Sequence, residues 1–162
     1  MKHLILIRHA KTEPGFLSDF ERKLTDRGHY DAPMMAKRLL DKGYKIDTLI
    51  ASTAVRTRQT SAYFTEVHGI PSSRTKFEDS LYLPRPDNIL NAIQTAPQDA
   101  QTLAIVSHNN GITDLTNKLD KKDGAHFMPT CGIAIFETPV SDWAEFNAEK
   151  ATLIAIDFPK NK

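Results

Sequence analysis

The sequence predicts an α/β fold, a three-layer sandwich in which helices cover both faces of a mostly parallel sheet. Short apolar runs, typical of strands buried on both faces, alternate along the chain with segments whose apolar residues recur at helical spacing. Such alternation is typical of parallel strands joined by helices. The last two apolar runs have no helical pattern between them, so we expect one strand there to pair antiparallel.

Five segments have the apolar character of strands. The run at residues 4–7 is continuous and rich in Ile, the run at 48–51 is similar but weaker, and the run at 103–106 repeats the pattern. Two further strands are predicted at residues 133–136 and 153–158.

Four helices are predicted between these strands. One buried face of the first is marked by Ala32, Met35, Ala36, Leu39 and Leu40, which follow the i, i+3, i+4, i+7, i+8 spacing. Gly43 is its expected end, and Pro33 is expected near its start or at a kink because proline lacks an amide donor. Further helices are expected over about residues 54–68, 89–93 and 112–119.

Composition narrows the class of protein. A length of 162 residues fits a single domain over residues 1–162. The net charge of +1 gives no field that would favour nucleic acid or a membrane, and neither is expected as a partner. Cys131 is the only cysteine, which rules out an internal disulfide and fits the cytoplasm. The first apolar run is too short for the core of a signal peptide, and no run approaches the roughly 20 residues of a membrane span.

Polar residues follow three of the predicted strands where ligands of such sheets bind, beyond the carboxyl ends. Arg8 and His9 follow the first strand, Ser52 and Arg56 follow the second, and His108 follows the strand at 103–106. If these strands are neighbours in the sheet, two histidines and at least one arginine lie together in the crevice beyond the strand ends.

This set of side chains suits phosphoryl transfer. Arginine offers permanently charged, bidentate donors to phosphate oxygens. An imidazole with an ordinary pKa of about 6.5 is a nucleophile without an external base, and a second histidine can donate to the transferred group. Two histidines also raise the question of zinc, but the chain has no HExxH motif and no Cys/His spacing of a zinc site. We therefore expect no metal and no cofactor.

Four segments, in order along the chain, resemble the short bacterial SixA-type phosphohistidine phosphatases of the histidine phosphatase superfamily. They are Arg8-His9-Ala10-Lys11-Thr12, the D-x-x-R-x-L-T-x-x-G pattern of Asp19, Arg22, Leu24, Thr25 and Gly28, the stretch from Ser52 to Thr60, and Ser107-His108-Asn109-Asn110-Gly111. The resemblance implies that His9 is the phosphorylated nucleophile, that Arg8 and Arg56 clamp the phosphoryl group, and that His108 contacts it from the other side. Arg22 is implied as a further phosphate or substrate contact; its alternative is a surface ion pair with Asp19 or Glu21.

The chain departs from the family pattern at several positions around these segments, without losing a catalytic side chain. The departures are Ala10 for the commoner Gly, Thr53 for Pro, Ala54 for a larger apolar residue, Thr57 for Ala, Ser107 for Gly and Asn110 for Pro. They bear on the shape of the pocket more than on its chemistry.

The leaving group separates the substrate classes. Relatives that cleave phosphate esters carry a carboxylic acid, often on an insertion, because an alkoxide leaves poorly without a proton. In this chain the corresponding stretch, residues 77–82, is short, and its candidate acids are Glu78 and Asp79. The alternative is that both are ordinary loop carboxylates. Glu13, in the first loop, is a less favoured candidate. An imidazole leaves more easily, so the sequence favours a metal-independent phosphatase acting on phosphohistidine in a signalling protein. A small-molecule phosphomonoesterase and a non-catalytic phosphate-binding module remain as alternatives.

Overall fold

The apolar runs of the chain form the strands of one sheet in the computed structural model, which describes residues 1–15, 18–122 and 125–161. In that part of the chain the strands are β1 Lys2–Arg8, β2 Thr48–Ser52, β3 Thr75–Glu78, β4 Thr102–Ser107, β5 Ile133–Thr138 and β6 Thr152–Asp157. Their order across the sheet is β3-β2-β4-β1-β5-β6.

The sheet is parallel in one half and antiparallel in the other. β1, β2, β3 and β4 pair parallel to their neighbours, whereas β5 pairs antiparallel to both β1 and β6. The structure thus confirms the predicted α/β class and the antiparallel strand near the C-terminus. Because β5 runs opposite to both β1 and β6, those two strands run in the same direction.

β3 is the strand that the sequence does not predict. It contains three polar residues and one phenylalanine, and none of them is buried. An edge strand has one pairing partner and one open side, so it needs no continuous apolar run. β3 therefore forms by backbone pairing with β2, and it ends at Glu78, a residue that the sequence places in a loop.

Four helices connect the strands in the described part of the chain: α1 Asp26–Asp41, α2 Val55–His68, α3 Pro86–Gln94 and α4 Gly111–Leu119. α1 begins earlier than its apolar pattern suggests, because Thr25 caps it by accepting the amide of Gly28 at 3.1 Å. Pro33 consequently lies well inside α1 and not near its start. α2 ends as predicted at Gly69, which has a φ of 67°.

The helices cover the two faces of the sheet and create two apolar layers. Along β1, Ile5 and Ile7 pack into the layer under α1 and α2, while Leu4 and Leu6 pack into the layer under α3 and α4. All of these side chains are fully buried, each stabilising the fold by about 1.5–3 kcal/mol. This arrangement is the predicted three-layer sandwich, and β1 lies at its centre. No helix in the described ranges is long and apolar enough to cross a bilayer.

Candidate active site

Three neighbouring parallel strands end at the same edge of the sheet. Arg8 ends β1 opposite Ser107 of β4, and Ser52 ends β2 on the other side of β4. His9 and His108 follow directly, so the backbone brings both histidines to one place. Their ring centroids are 5.3 Å apart, inside the limit of roughly 8 Å within which both rings can contact one phosphoryl group.

The tautomer of His9 follows from a single hydrogen bond. Its Nδ1 lies 2.8 Å from the carbonyl oxygen of Ala10. A carbonyl oxygen only accepts, so Nδ1 carries the proton and Nε2 keeps its lone pair. His9 therefore presents an unprotonated nitrogen of the kind that a nucleophile needs.

The surroundings of His9 keep it neutral. The side chain is 5 % exposed, and this burial lowers its pKa to about 3, with the charges of Arg56, Arg8 and Arg22 acting in the same direction. The bond to the Ala10 carbonyl opposes the shift without cancelling it. At neutral pH, the imidazole is available for attack on an electrophile.

Three arginines surround His9, and each has terminal nitrogens held by the protein. Arg8 donates from Nη1 to the Met128 carbonyl at 3.1 Å. Arg56 donates from Nη1 to the Asp19 carbonyl at 2.7 Å and from Nη2 to the Asp19 carboxylate at 3.0 Å. Arg22 donates to the Asp19 carboxylate at 3.2 Å and to the Thr12 hydroxyl. These bonds fix the guanidinium planes.

The same three arginines leave their Nε atoms without a partner. Nε of Arg8, Arg22 and Arg56 and Nδ1 of His108 are all buried, and none finds a hydrogen-bond partner among the residues described. Leaving a buried donor unpaired costs about 1–3 kcal/mol, more for a charged group. Unpaired donors of this kind mark a candidate anion site, because an anion accepts hydrogen bonds from arginine and histidine N–H groups.

His108 is held on its other nitrogen by Ser52. Nε2 of His108 lies 2.8 Å from Ser52 Oγ, which also accepts the amide of Ala54 at 3.3 Å. The serine can give its own proton to Nε2, and His108 then carries its proton on the unpartnered Nδ1 and can donate it to an anion. Burial and the Arg56 charge lower the pKa of His108 to about 3.

Asp19 and Tyr82 also belong to the candidate site, although the sequence analysis gave neither of them a role there. The Tyr82 hydroxyl donates to the Asp19 carboxylate at 2.6 Å, and the Tyr82 ring lies 5.4 Å from that of His108. This hydroxyl bond, helped by Arg56, holds the pKa of Asp19 below its ordinary value. The ion pair of Asp19 with Arg22 can be predicted because the two residues are close in the sequence. The contact with Tyr82 cannot, because only the tertiary fold brings that residue near.

The structure shows the ion pair with Asp19 that was the alternative for Arg22, and the role of Arg22 as a phosphate or substrate contact stays a prediction. Its buried Nε also belongs to the unpartnered donors around His9. The two candidate acids each have a partner of their own: Glu78 pairs with Lys76 at 2.7 Å, and Asp79 accepts the Thr53 hydroxyl at 2.7 Å. These contacts fit the alternative of ordinary loop carboxylates. Glu13 is exposed.

A metal would need a cluster of suitable ligands. Among the described residues, no group of three or more His, Cys, Asp or Glu side chains is placed to hold a metal ion. The positive charge of the site comes from its arginines.

Comparison with known proteins shows which families and structures this chain resembles. The profile of the histidine phosphatase superfamily, branch 1, matches residues 4–77, which include His9 and Arg56. A solved structure from Nakamurella multipartitia, assigned as the phosphohistidine phosphatase SixA, superposes with a TM-score of 0.84 at 27 % identity, covering 98 % of this chain and 96 % of the other. This chain is similar to the histidine phosphatase superfamily in sequence over those residues and to a SixA structure in fold over nearly its whole length.

The architecture is of the SixA type. A second structure assigned as SixA, from Agrobacterium tumefaciens, has a TM-score of 0.81 at 25 % identity and covers 98 % of each chain. An uncharacterized protein of Mycobacterium leprae is 28 % identical over 95 % of this chain and its own full length. These similarities support phosphatase as the class of activity.

Proposed function

We propose that this protein hydrolyses phosphohistidine in other proteins through a phosphoryl intermediate on Nε2 of His9. The observation that carries the proposal is the set of four buried, unpartnered donors, Nε of Arg8, Arg22 and Arg56 and Nδ1 of His108, around a histidine whose Nε2 is unprotonated. Each of these N–H groups can donate a hydrogen bond to a phosphoryl oxygen.

In the first step, Nε2 of His9 attacks phosphorus, and the bond from phosphorus to the substrate nitrogen breaks. The departing imidazole takes a proton from solvent and leaves as a neutral side chain. His9 keeps Nδ1–H bonded to the Ala10 carbonyl at 2.8 Å throughout, which holds the ring in place while its charge grows. In the second step, water attacks the phosphorus, the bond to Nε2 breaks, and inorganic phosphate leaves.

The arginines and His108 stabilise the transition state. Charge spreads over the three equatorial oxygens as the phosphoryl group moves, and donors that already point inward gain strength without rearranging. Arg56 is 3 % exposed, so its charge is little screened by water.

The state of Asp19 supports phosphohistidine over a phosphate ester. It is the carboxyl that contacts Arg22 and Arg56 in the described chain, and the bond from Tyr82 keeps its pKa low. An ionised carboxylate cannot protonate a departing alkoxide, whereas an imidazole leaves without such help. The two similar structures assigned as phosphohistidine phosphatases agree with this substrate class. The free thiol of Cys131 fits our further proposal that the protein works in the reducing cytoplasm.

Rapid-quench labelling with a radioactive phosphohistidine peptide tests the proposal. We expect an acid-labile, base-stable phosphoryl group that maps to His9 and is absent in His9→Ala. His3→Ala is the matched control, because His3 lies on the same strand at its opposite end and should label like the parent. Label on a serine or aspartate, with His9→Ala turning over at the parent rate, contradicts the mechanism.

A substrate panel separates the remaining alternatives. The parent is expected to hydrolyse phosphohistidine peptides faster than phosphoserine peptides or alkyl phosphates. Faster hydrolysis of a small alkyl phosphate would make the protein a phosphomonoesterase. Phosphate binding without turnover of any member would make it a binding module.

A further inference from the structure

A second groove opens at the same edge of the sheet as the anion site. It has a volume of about 510 Å³, and its lining residues are Lys11, Arg27, Asp31, Pro129, Thr130, Phe158, Pro159 and Lys160. Some of these residues, Lys11 among them, fall in segments that resemble the family, but the proposed chemistry gives none of them a role. We refer to this feature, defined by those residues, as the basic groove.

The topology explains why the basic groove adjoins the anion site. β6 runs in the same direction as β1, and Ile133 of β5 pairs with Ile7 on one side and with Asp157 on the other. The chain that leaves β6, residues 158–160, therefore emerges beside the chain that leaves β1 at His9. Lys11 follows His9 by two residues, which limits their Cα separation to about 7.6 Å.

The far wall of the basic groove is held by the same backbone that anchors the site. Pro129 and Thr130 lie between Met128, whose carbonyl accepts from Arg8, and Cys131, whose amide donates to the His9 carbonyl at 2.9 Å. The tail is fixed as well, because Arg38 donates to the carbonyls of Phe158 at 3.2 Å and Asn161 at 2.8 Å. The groove is preformed by packed backbone.

Its charge is positive. The carboxylate of Asp31 is buried and accepts from Arg27 Nε at 2.9 Å, so this pair is internally compensated. Lys11 and Lys160 are both exposed, and no acidic partner is found for either among the residues described. The lining between these lysines is apolar, formed by Pro129, Phe158 and Pro159. A complementary ligand carries negative charge on an apolar or aliphatic stem, as Asp and Glu side chains do.

Resting on the proposed function, we propose that the basic groove docks an acidic segment of the phosphoprotein substrate, next to the phosphohistidine in its sequence. A ligand that fills the anion site and the basic groove together must extend beyond one phosphorylated side chain, as a polypeptide does. At about 3.3 Å per extended residue, the acidic residues lie within about five positions of the phosphohistidine.

Peptide kinetics with charge-matched substrates test this docking. The probes are two phosphohistidine peptides of equal length, one flanked by Asp and the other by Asn, with p-nitrophenyl phosphate as a substrate too small to reach the groove. We expect the parent to favour the Asp peptide in kcat/KM by about 3- to 10-fold, in a salt-sensitive manner. The double variant Lys11→Gln/Lys160→Gln should lose that preference while keeping its rate on the Asn peptide and on p-nitrophenyl phosphate.

Lys150→Gln is the matched control. Lys150 is exposed and precedes β6, at the opposite edge of the sheet, so its removal should leave the preference intact. Equal rates on both peptides in the parent, or a preference that survives in the double variant, overturn the docking proposal and leave the proposed function standing. Turnover of p-nitrophenyl phosphate without turnover of either peptide overturns the proposed substrate and the docking together. The double variant could instead show a changed kcat/KM only for small molecules that carry two anionic groups. That result would make the groove a small-molecule subsite and overturn the docking proposal.

Discussion

His9 and His108 are neutral because they are buried beside arginines, and this has a consequence for stability. Each has a pKa of about 3 in the folded protein, against about 6.5 in an unfolded chain. Between those values the unfolded chain binds more protons than the folded one, so acid favours unfolding. The stability that the neutral rings contribute is fully present above the unfolded pKa and is lost as the pH falls toward the folded one.

We predict that the free energy of unfolding of the parent falls with decreasing pH between about 6.5 and 4, and that the double variant His9→Gln/His108→Gln falls less steeply. Each histidine contributes at most about 1.4 kcal/mol per pH unit in that window. Urea unfolding at a series of pH values measures the difference. Parallel curves for parent and variant would show that the rings titrate normally in the folded protein.

Among the elements, α4 is closely constrained next to the site, because it starts just after His108. Gly111 is its first residue, and a β-carbon there would meet the Pro84 carbonyl oxygen at 2.6 Å and Pro84 Cγ at 2.9 Å. Pro84 lies two residues after Tyr82, on the segment that also contacts His108. The position thus couples the start of the helix to the wall of the anion site.

We predict that Gly111→Ala destabilises the protein by about 1–3 kcal/mol, although alanine in a helix is usually favoured over glycine by up to about 1 kcal/mol. The displaced turn should also lower turnover of p-nitrophenyl phosphate by about 10- to 100-fold. Urea unfolding and steady-state kinetics measure both effects.

Gly43→Ala is the control for that prediction. Gly43 has a φ of 95° and open space around it, so alanine there strains the backbone away from the site. It should lose stability and keep its turnover. Unchanged turnover in Gly111→Ala would show that the start of α4 does not position His108.

For the molecule as a whole, the positive charge of the site is supplied by residues from separate parts of the chain. Arg8 comes from β1, Arg56 from α2, and Arg22 from the loop before α1. In many phosphoryl-transfer enzymes, a divalent cation does this work. Here each guanidinium is already oriented by bonds to the protein, and on this basis we propose that the reaction needs no such ion.

We therefore predict undiminished hydrolysis of p-nitrophenyl phosphate in excess chelator. Arg56→Lys is the companion variant: it keeps the charge but loses the forked donor, and it should lower turnover in the same assay. Complete loss of activity with chelator, restored by zinc or magnesium, would contradict metal-independent chemistry.

The α/β class, the antiparallel strand near the C-terminus and the polar residues at the strand ends could all be predicted from the sequence. These features depend on local patterns: continuous apolar runs, helical spacing and polar clusters at strand ends. The resemblance to the superfamily could be predicted as well, because its motifs are short and ordered along the chain. β3 escaped prediction since an edge strand such as Thr75–Glu78 needs no apolar run.

The effects of the site residues on one another follow from the folded structure and could not be predicted from the sequence. The neutral state of His9 depends on burial and on charges from three segments, and the tautomer of His108 depends on Ser52 across the neighbouring strand. The contact of Asp19 with Tyr82 joins residues far apart in the chain. Side chains such as these gain their chemistry from neighbours that folding brings close, and the spacing of letters in a sequence does not contain those distances.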